Sequence, residues 1–258
     1  METEQILRLY GALWAAVLGA AVGSFLDCMA VRGELPRGRS RCDSCGHPLG
    51  PAELVPIFSY LVFRGRCRHC GSTIPVQCLW AEIAGAFSFA ALWLHLGPGL
   101  ELLMHLILAS LLLWLSLTDW ISRTIPDRLL LAAIGNRLLF LWLRQEPLRE
   151  ILPDMAIGAL SISLPLLLLS LGMDCLVGQE SMGGGDIKLL FVLGLYFSWM
   201  DMLLLLLVAC VMAILWTVIS GQGKAGRQIP FGPFLSAAWL AVVLWGEPLI
   251  TWYRGLLG

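Results

Sequence analysis

Two aspartates, Asp119 and Asp186, each stand at the edge of a long apolar run, and four cysteines, Cys42, Cys45, Cys67 and Cys70, form two CxxC pairs. Residue types and spacing of this kind can do chemistry. A carboxylate beside lipid is costly, about 2.5–3.5 kcal/mol at a span's centre on insertion scales, so it asks for a function or a partner. Asp186 lies in Met182-Gly183-Gly184-Gly185-Asp186-Ile187-Lys188-Leu189-Leu190. Three glycines leave the backbone free to bend and leave room for another molecule to approach. The plainer reading is a loop with Asp186 capping the next helix. Asp119 ends a run at Thr118-Asp119-Trp120, where the helix dipole disfavours an anion. A proton shared with Asp186 gives that placement a reason. Two close carboxylates do not both ionise readily, so one stays protonated near neutral pH. Such a pair can activate a water while protonating a scissile carbonyl or leaving amine.

Cys42-Asp43-Ser44-Cys45 and Cys67-Arg68-His69-Cys70 are 21 residues apart. Paired knuckles at that separation suit a tetrahedral zinc held by four thiolates, a closed and therefore structural site. Gly46 and Gly71 follow each knuckle, where a tight turn favours glycine. His47 and His69 are alternative ligands, more simply surface or neighbouring histidines. Cys28, Cys78, Cys175 and Cys210 are scattered in or near apolar runs and read as small hydrophobes.

Gln228-Ile229-Pro230-Phe231-Gly232-Pro233-Phe234 cannot continue a helix, so irregular backbone enters at membrane depth and lines a cavity rather than making an ordinary turn. Gly183, Gly184, Gly185, Lys188, Pro230, Phe231, Gly232 and Pro233 are thus candidates for an active-site loop that meets substrate. Asp127, just ahead of an apolar run, reads as a helix N-cap. Asp27 reads as a partner of Arg32, Glu82 as a pair with a local cation or a pocket residue, and Asp201 as solvated in an outer turn.

These residues must be positioned by membrane helices. The 258 residues are 58% hydrophobic and only 14% charged, too little charge to cover a soluble domain of this length. Eight apolar runs follow: Ile6–Met29, Leu79–Leu96, Leu100–Thr118, Leu129–Leu143, Met155–Gly172, Ile187–Trp199, Met202–Ser220 and Phe234–Tyr253. The expected fold is an all-α polytopic membrane protein of about eight spans. Residues 1–30 form the first span, 31–78 a zinc-binding insertion, and 79–258 a seven-span domain carrying the carboxylates. The first run lacks a charged n-region and cleavage site, so it reads as a retained span.

Lys and Arg counts set orientation. One face carries Arg32, Arg37, Arg39, Arg41, Arg64, Arg66, Arg68, Arg123, Arg128, Lys188, Lys224 and Arg227; the other carries Arg8, Arg137, Arg144, Arg149 and Arg254. The richer face is cytoplasmic, which leaves the N-terminus outside and both aspartates on the cytoplasmic side. The paired thiols agree with a reducing compartment.

The separated motifs resemble the type IV prepilin peptidase family, the membrane aspartic proteases with a GxGD motif. They are Gly23-Ser24-Phe25-Leu26, Pro56-Ile57-Phe58-Ser59-Tyr60, Arg64-Gly65-Arg66-Cys67, Asp119 with Ile125-Pro126-Asp127, Gly183-Gly184-Gly185-Asp186-Ile187-Lys188, and Ile229-Pro230-Phe231-Gly232-Pro233-Phe234. The resemblance covers nearly the whole chain. It implies an enzyme of the cytoplasmic (inner) membrane that cuts a basic leader from type IV prepilins or pseudopilins after a glycine. It also implies N-methylation of the new N-terminus with S-adenosylmethionine, Asp119 and Asp186 as the catalytic pair, and zinc on the four cysteines. Protein substrates and the lipid bilayer are the partners implied, with no nucleic acid. The family commonly has asparagine where Asp27 stands, and a shorter Arg-to-Pro spacing than Arg32-Gly33-Glu34-Leu35-Pro36. Glu34, Glu53 and Glu180 are candidate acids for a basic leader.

Paired membrane carboxylates also serve proton-coupled transporters, which show repeated halves and sites at the midplane. No internal repeat is visible here. A third reading, an assembly scaffold with a vestigial site, sits poorly with two intact aspartates.

Overall fold

The computed structural model describes residues 2–33, 38–177, 183–221 and 229–257. Glu34, Leu35, Pro36, Arg37, Glu180, Met182, Lys224, Arg227 and Gln228 lie outside the described residues, and so do the readings placed on them.

The described residues are helical, with no strand beyond two isolated bridges, Arg41 with Pro48 and Arg66 with Thr73. The helices are α1 (Glu2–Arg32), α2 (Phe58–Val62), α3 (Val76–Leu96), α4 (Leu100–Ser122), α5 (Asp127–Arg144), α6 (Leu148–Val177), α7 (Gly184–Gly194), α8 (Trp199–Ser220) and α9 (Gly232–Leu257). Every apolar run of the sequence carries a helix, although that of Ile187–Trp199 stops at Gly194 and its last residue already begins α8. Among the described residues, six helices are long and apolar enough to cross a membrane: α1, α3, α4, α6, α8 and α9. Two runs fall short of that test. The 18-residue α5 carries Asp127, Arg128, Arg137 and Arg144. The 11-residue α7 is only about 16 Å long, half a hydrocarbon core.

The chain forms two compact units, Met1–Ile121 and Ser122–Gly258. In the first, α1 and α3 pack antiparallel through small residues. A Cβ on Gly19 would meet the Gly85 carbonyl, and one on Gly23 the Ala81 carbonyl. Helices in lipid gain little from burying apolar surface against each other, so close backbone approach must supply the packing. Leu26, Met29 and Ala81 then form a buried cluster with Leu117 of α4.

Asp27 is buried and accepts from Gln77 Nε2 at 2.8 Å, while Arg32 pairs with Asp43 at 3.4 Å. The expected Asp27–Arg32 pair is therefore corrected: a polar amide from α3 reaches the buried acid, and the arginine stays at the surface. Glu82 is also buried, and its Oε2 accepts from the Ile57 N–H at 2.6 Å rather than pairing with a cation. Ile57 has a φ of 63°, a region that a β-branched residue seldom enters.

In the second unit, α6 and α7 cross as closely. A Cβ on Gly158 would meet the Gly194 and Phe197 carbonyls, and one on Gly194 would meet the backbone of Gly158 and Ala159. Helix α6 includes Pro153 and Pro165 and begins at Leu148, about two turns before the apolar run does. Asp201 is not a solvated turn residue. It accepts from the Ser198 amide and hydroxyl, at 3.2 and 2.6 Å, and completes a capping box at the start of α8.

Candidate active site

Asp119 lies in the last turn of α4, 5% exposed, two residues beyond the Leu117 that ties this helix end to α1 and α3. The sequence placed it at a helix end; its burial is the added fact. In the second unit, Gly183 is the N-cap of α7 and Asp186 occupies the third helical position. Its amide bonds back to the Gly183 carbonyl at 3.0 Å. Asp186 is therefore not itself the cap. A Cβ on Gly183 would stand 3.2 Å from Asp186 Oδ2, so the carboxylate folds back over that glycine. Gly184 faces open space, and Gly185 packs against Ile125. The three glycines thus differ: one seats the carboxylate, one leaves an approach clear, and one admits a neighbouring segment. The positive N-terminal end of α7 favours the anion that Asp186 carries when ionised.

Asp127 is the first residue of α5, and Pro126 holds the N-cap position without a side-chain bond. The expected N-cap role is corrected. Proline at the cap offers no oxygen, and the Asp127 carboxylate instead accepts from Lys188 Nζ at 2.7 Å. Ile125 on Gly185 and Asp127 with Lys188 bring two of the sequence motifs together on the first turn of α7.

The other end of α7 is held by α5. Arg137 Nε donates to the Leu195 carbonyl at 3.0 Å, and Tyr196 donates to the Ala133 carbonyl at 2.6 Å. Asn136 donates to the Tyr196 hydroxyl at 3.2 Å, and the Arg137 guanidinium lies 5.5 Å from the Tyr196 ring centroid. A helix that stops short of a full span leaves carbonyls without partners. A half-buried cation supplies one, with the dipole in its favour. Sequence reading assigned Arg137 to the outer charge count and missed this role, and only its place within an apolar run hinted at one.

The closing motif is part loop, part helix. Ile229 to Phe231 have no regular structure, while Gly232 begins α9 with Pro233 in its first turn. Proline is tolerated there because that N–H has no intrahelical partner. The Phe231 carbonyl accepts from Phe234 and Leu235 at 3.0 and 3.1 Å. The irregular stretch is thus shorter than expected, and α9 packs against α7 and α8.

The four-cysteine module repeats one fold twice. In each knuckle the glycine N–H returns to the first cysteine's carbonyl, Gly46 to Cys42 at 2.8 Å and Gly71 to Cys67 at 2.9 Å. Both glycines have φ near +70°, at 70 and 73°. All four sulfurs lie within 4.8 Å of one another, with Cys42 and Cys70 at 3.9 Å. A tetrahedron with ~2.3 Å metal–sulfur bonds has edges of ~3.8 Å, so the set fits a metal ion. The Cys45 backbone N–H, and after it the Ser72 hydroxyl, draw the Cys42 thiol down to about 6. The Ser72 hydroxyl lowers Cys70 in the same way. Both favour the thiolate that binds metal. His47 and His69 stack ring on ring at 4.5 Å, outside the four-sulfur set.

Fold and site define a polytopic helical membrane protein with an extramembrane four-cysteine module and an acidic residue at each of two helix ends. Residues 17–96 match the bacterial Peptidase A24 N-terminal domain, and residues 106–218 match the type IV leader peptidase family. A prepilin leader peptidase/N-methyltransferase of Aeromonas hydrophila is 33% identical over 83% of this chain and 74% of its own. One from Pseudomonas putida is 31% identical over 95% and 94%, and one from Burkholderia pseudomallei 34% over 91% and 77%. No solved structure matches the chain significantly. The chain belongs to the type IV leader peptidase family.

Proposed function

We propose that the chain is a prepilin peptidase that removes the basic leader of type IV prepilins or pseudopilins after a glycine, at the cytoplasmic face of the inner membrane. Nothing in the comparisons supports the transporter reading. The observation that carries the assignment is Asp186 in the first turn of a half-length helix, its carboxylate over Gly183 and the side of Gly184 open. Asp186 and the buried Asp119 act as the acid–base pair: one carboxylate takes a proton from water while the other protonates the scissile carbonyl, and the first then passes its proton to the leaving amine as the second recovers one from the gem-diol hydroxyl. We read α5 and the short α7 as two further spans, and the Lys and Arg count then assigns the segments after Asp119 and before Asp186 to the cytoplasmic side.

Zinc closes the four-cysteine module and supports folding rather than cleavage. The relatives' name also carries N-methyltransferase, and we assign methylation of the new N-terminus, with S-adenosylmethionine as donor, to this chain. The groove between Leu7–Arg8 and Trp93–Pro98, about 190 Å³, does not fit that donor. It is below the ~300 Å³ where ordinary small-molecule sites begin, and it lies at the end of the α1–α3 pair remote from the cysteine segment.

The test is mass spectrometry of a model prepilin incubated with the purified protein and S-adenosylmethionine. Leader loss with a gain of about 14 Da on the new N-terminus carries both activities; leader loss alone retains the peptidase. Asp119→Asn and Asp186→Asn should each abolish cleavage while the protein stays folded in the membrane, since an amide cannot hold the shared proton. Retained cleavage in either variant removes the acid pair.

A further inference from the structure

Helix α2 and the turn before it present an apolar stripe outside the long spans. Leu54, Val55, Phe58, Leu61 and Val62 are exposed at 50, 45, 64, 62 and 53%. Phe58, Leu61 and Val62 lie on one side of α2, and Leu54 and Val55 precede it across the turn at Ile57. The residues between them face inward: Ile57, Tyr60 and Phe63 are half-buried, and the Tyr60 hydroxyl lies 3.4 Å from the Ile74 carbonyl. A contiguous exposed apolar stripe with a packed opposite face marks a docking surface.

Two observations say what covers it. The first is its level on α3. The Ile57 N–H is held by buried Glu82 at 2.6 Å, and Glu82 lies about 9 Å along α3 from its start at Val76. Ile57, between Val55 and Phe58, is therefore fixed at the level of the first turns of a helix long and apolar enough to span a membrane. Trp80, 64% exposed, stands in those same turns, as the aromatic belts of membrane–water interfaces do. The second is charge. Arg64, Arg66 and Arg68 follow the stripe at once, and all three are exposed.

We propose that residues Leu54–Val62 lie in the headgroup–acyl boundary of an anionic phospholipid leaflet, with the apolar stripe in lipid and Arg64, Arg66 and Arg68 on the headgroup phosphates. The inference rests on the membrane-spanning reading of α3 and not on the peptidase chemistry. A basic amphipathic element gains from both terms, burial of its stripe and attraction to anionic lipid. Glu82 is the pin that holds the element at this depth, and the four-cysteine module around it is thereby held on the membrane surface.

The experiment uses the full-length protein in nanodiscs of phosphatidylcholine with or without phosphatidylglycerol. Phe58→p-benzoylphenylalanine and Leu61→p-benzoylphenylalanine are illuminated and read by intact mass, with Ser44→p-benzoylphenylalanine on the exposed knuckle as the control. The expected result is a phospholipid adduct at positions 58 and 61 and none at 44. Replacing phosphatidylglycerol, or combining Arg64→Gln, Arg66→Gln and Arg68→Gln, should lower the adduct roughly tenfold or more. The arginine variant's metal content reports that the module is still folded. Crosslinks to protein, whether a second copy or an added prepilin, overturn the proposal. So does lipid adduct that ignores headgroup charge, or no adduct at all.

Discussion

Lys188 on α7 reaches Asp127 at the start of α5 across 2.7 Å, a contact between residues 61 positions apart. Two of the motifs that identify the family are thus one structural unit, with Ile125 packed on Gly185 beside them. Both side chains are more than half exposed, at 59 and 68%, so the pair contributes under about 1 kcal/mol to stability. Its effect should appear in the position of the Asp186 turn. Lys188→Glu or Asp127→Lys alone should cut prepilin cleavage with little change in melting temperature. The double swap should restore much of it. A double variant no better than either single one removes the positioning role.

Gly158 and Gly194 let α6 and α7 touch through backbone, and neither site has room for a methyl group. Gly194→Ala should push the helices apart, destabilise the protein by roughly 1–3 kcal/mol and lower activity with it. Gly135→Ala, inside α5 with open space around it, is the matched control. Thermal unfolding in detergent distinguishes the two.

Arg137 and Tyr196 hold the far end of α7 through the Leu195 and Ala133 carbonyls. Arg137→Met leaves a carbonyl without its partner and should cost about 1–3 kcal/mol; Tyr196→Phe, losing the bonds to the Ala133 carbonyl and from Asn136, should cost about 1–3 kcal/mol as well. The two share a network, so the double variant should fall short of the sum. Strict additivity would show that they act separately.

The four-cysteine module predicts one metal ion per chain in protein purified under reducing conditions. Cys42→Ser with Cys45→Ser should remove it and lower the module's resistance to proteolysis, because a closed thiolate site contributes directly to folding. Metal-free wild-type protein of normal stability would retire the zinc assignment.

Local chemistry is what the sequence by itself determined. The CxxC-Gly knuckles close through contacts a few residues long, so their spacing announced both the turn and a sulfur set that fits a metal ion. Apolar runs announced helices because a membrane segment must satisfy its own backbone hydrogen bonds. The helix-end positions of Asp119 and Asp186 followed from where those runs stop. Long-range partners did not. That Asp27 takes Gln77, fifty residues away, and not nearby Arg32 depends on how closely the glycine faces of α1 and α3 approach. That Asp127 answers Lys188, and Arg137 the end of α7, depends on α5 lying against α7. The apolar pattern was weakest at α5, whose charges reach α7, while α7 is apolar but too short to cross a membrane. A side chain that serves a partner on another helix breaks the apolar pattern of its own, and only packing shows which partner that is.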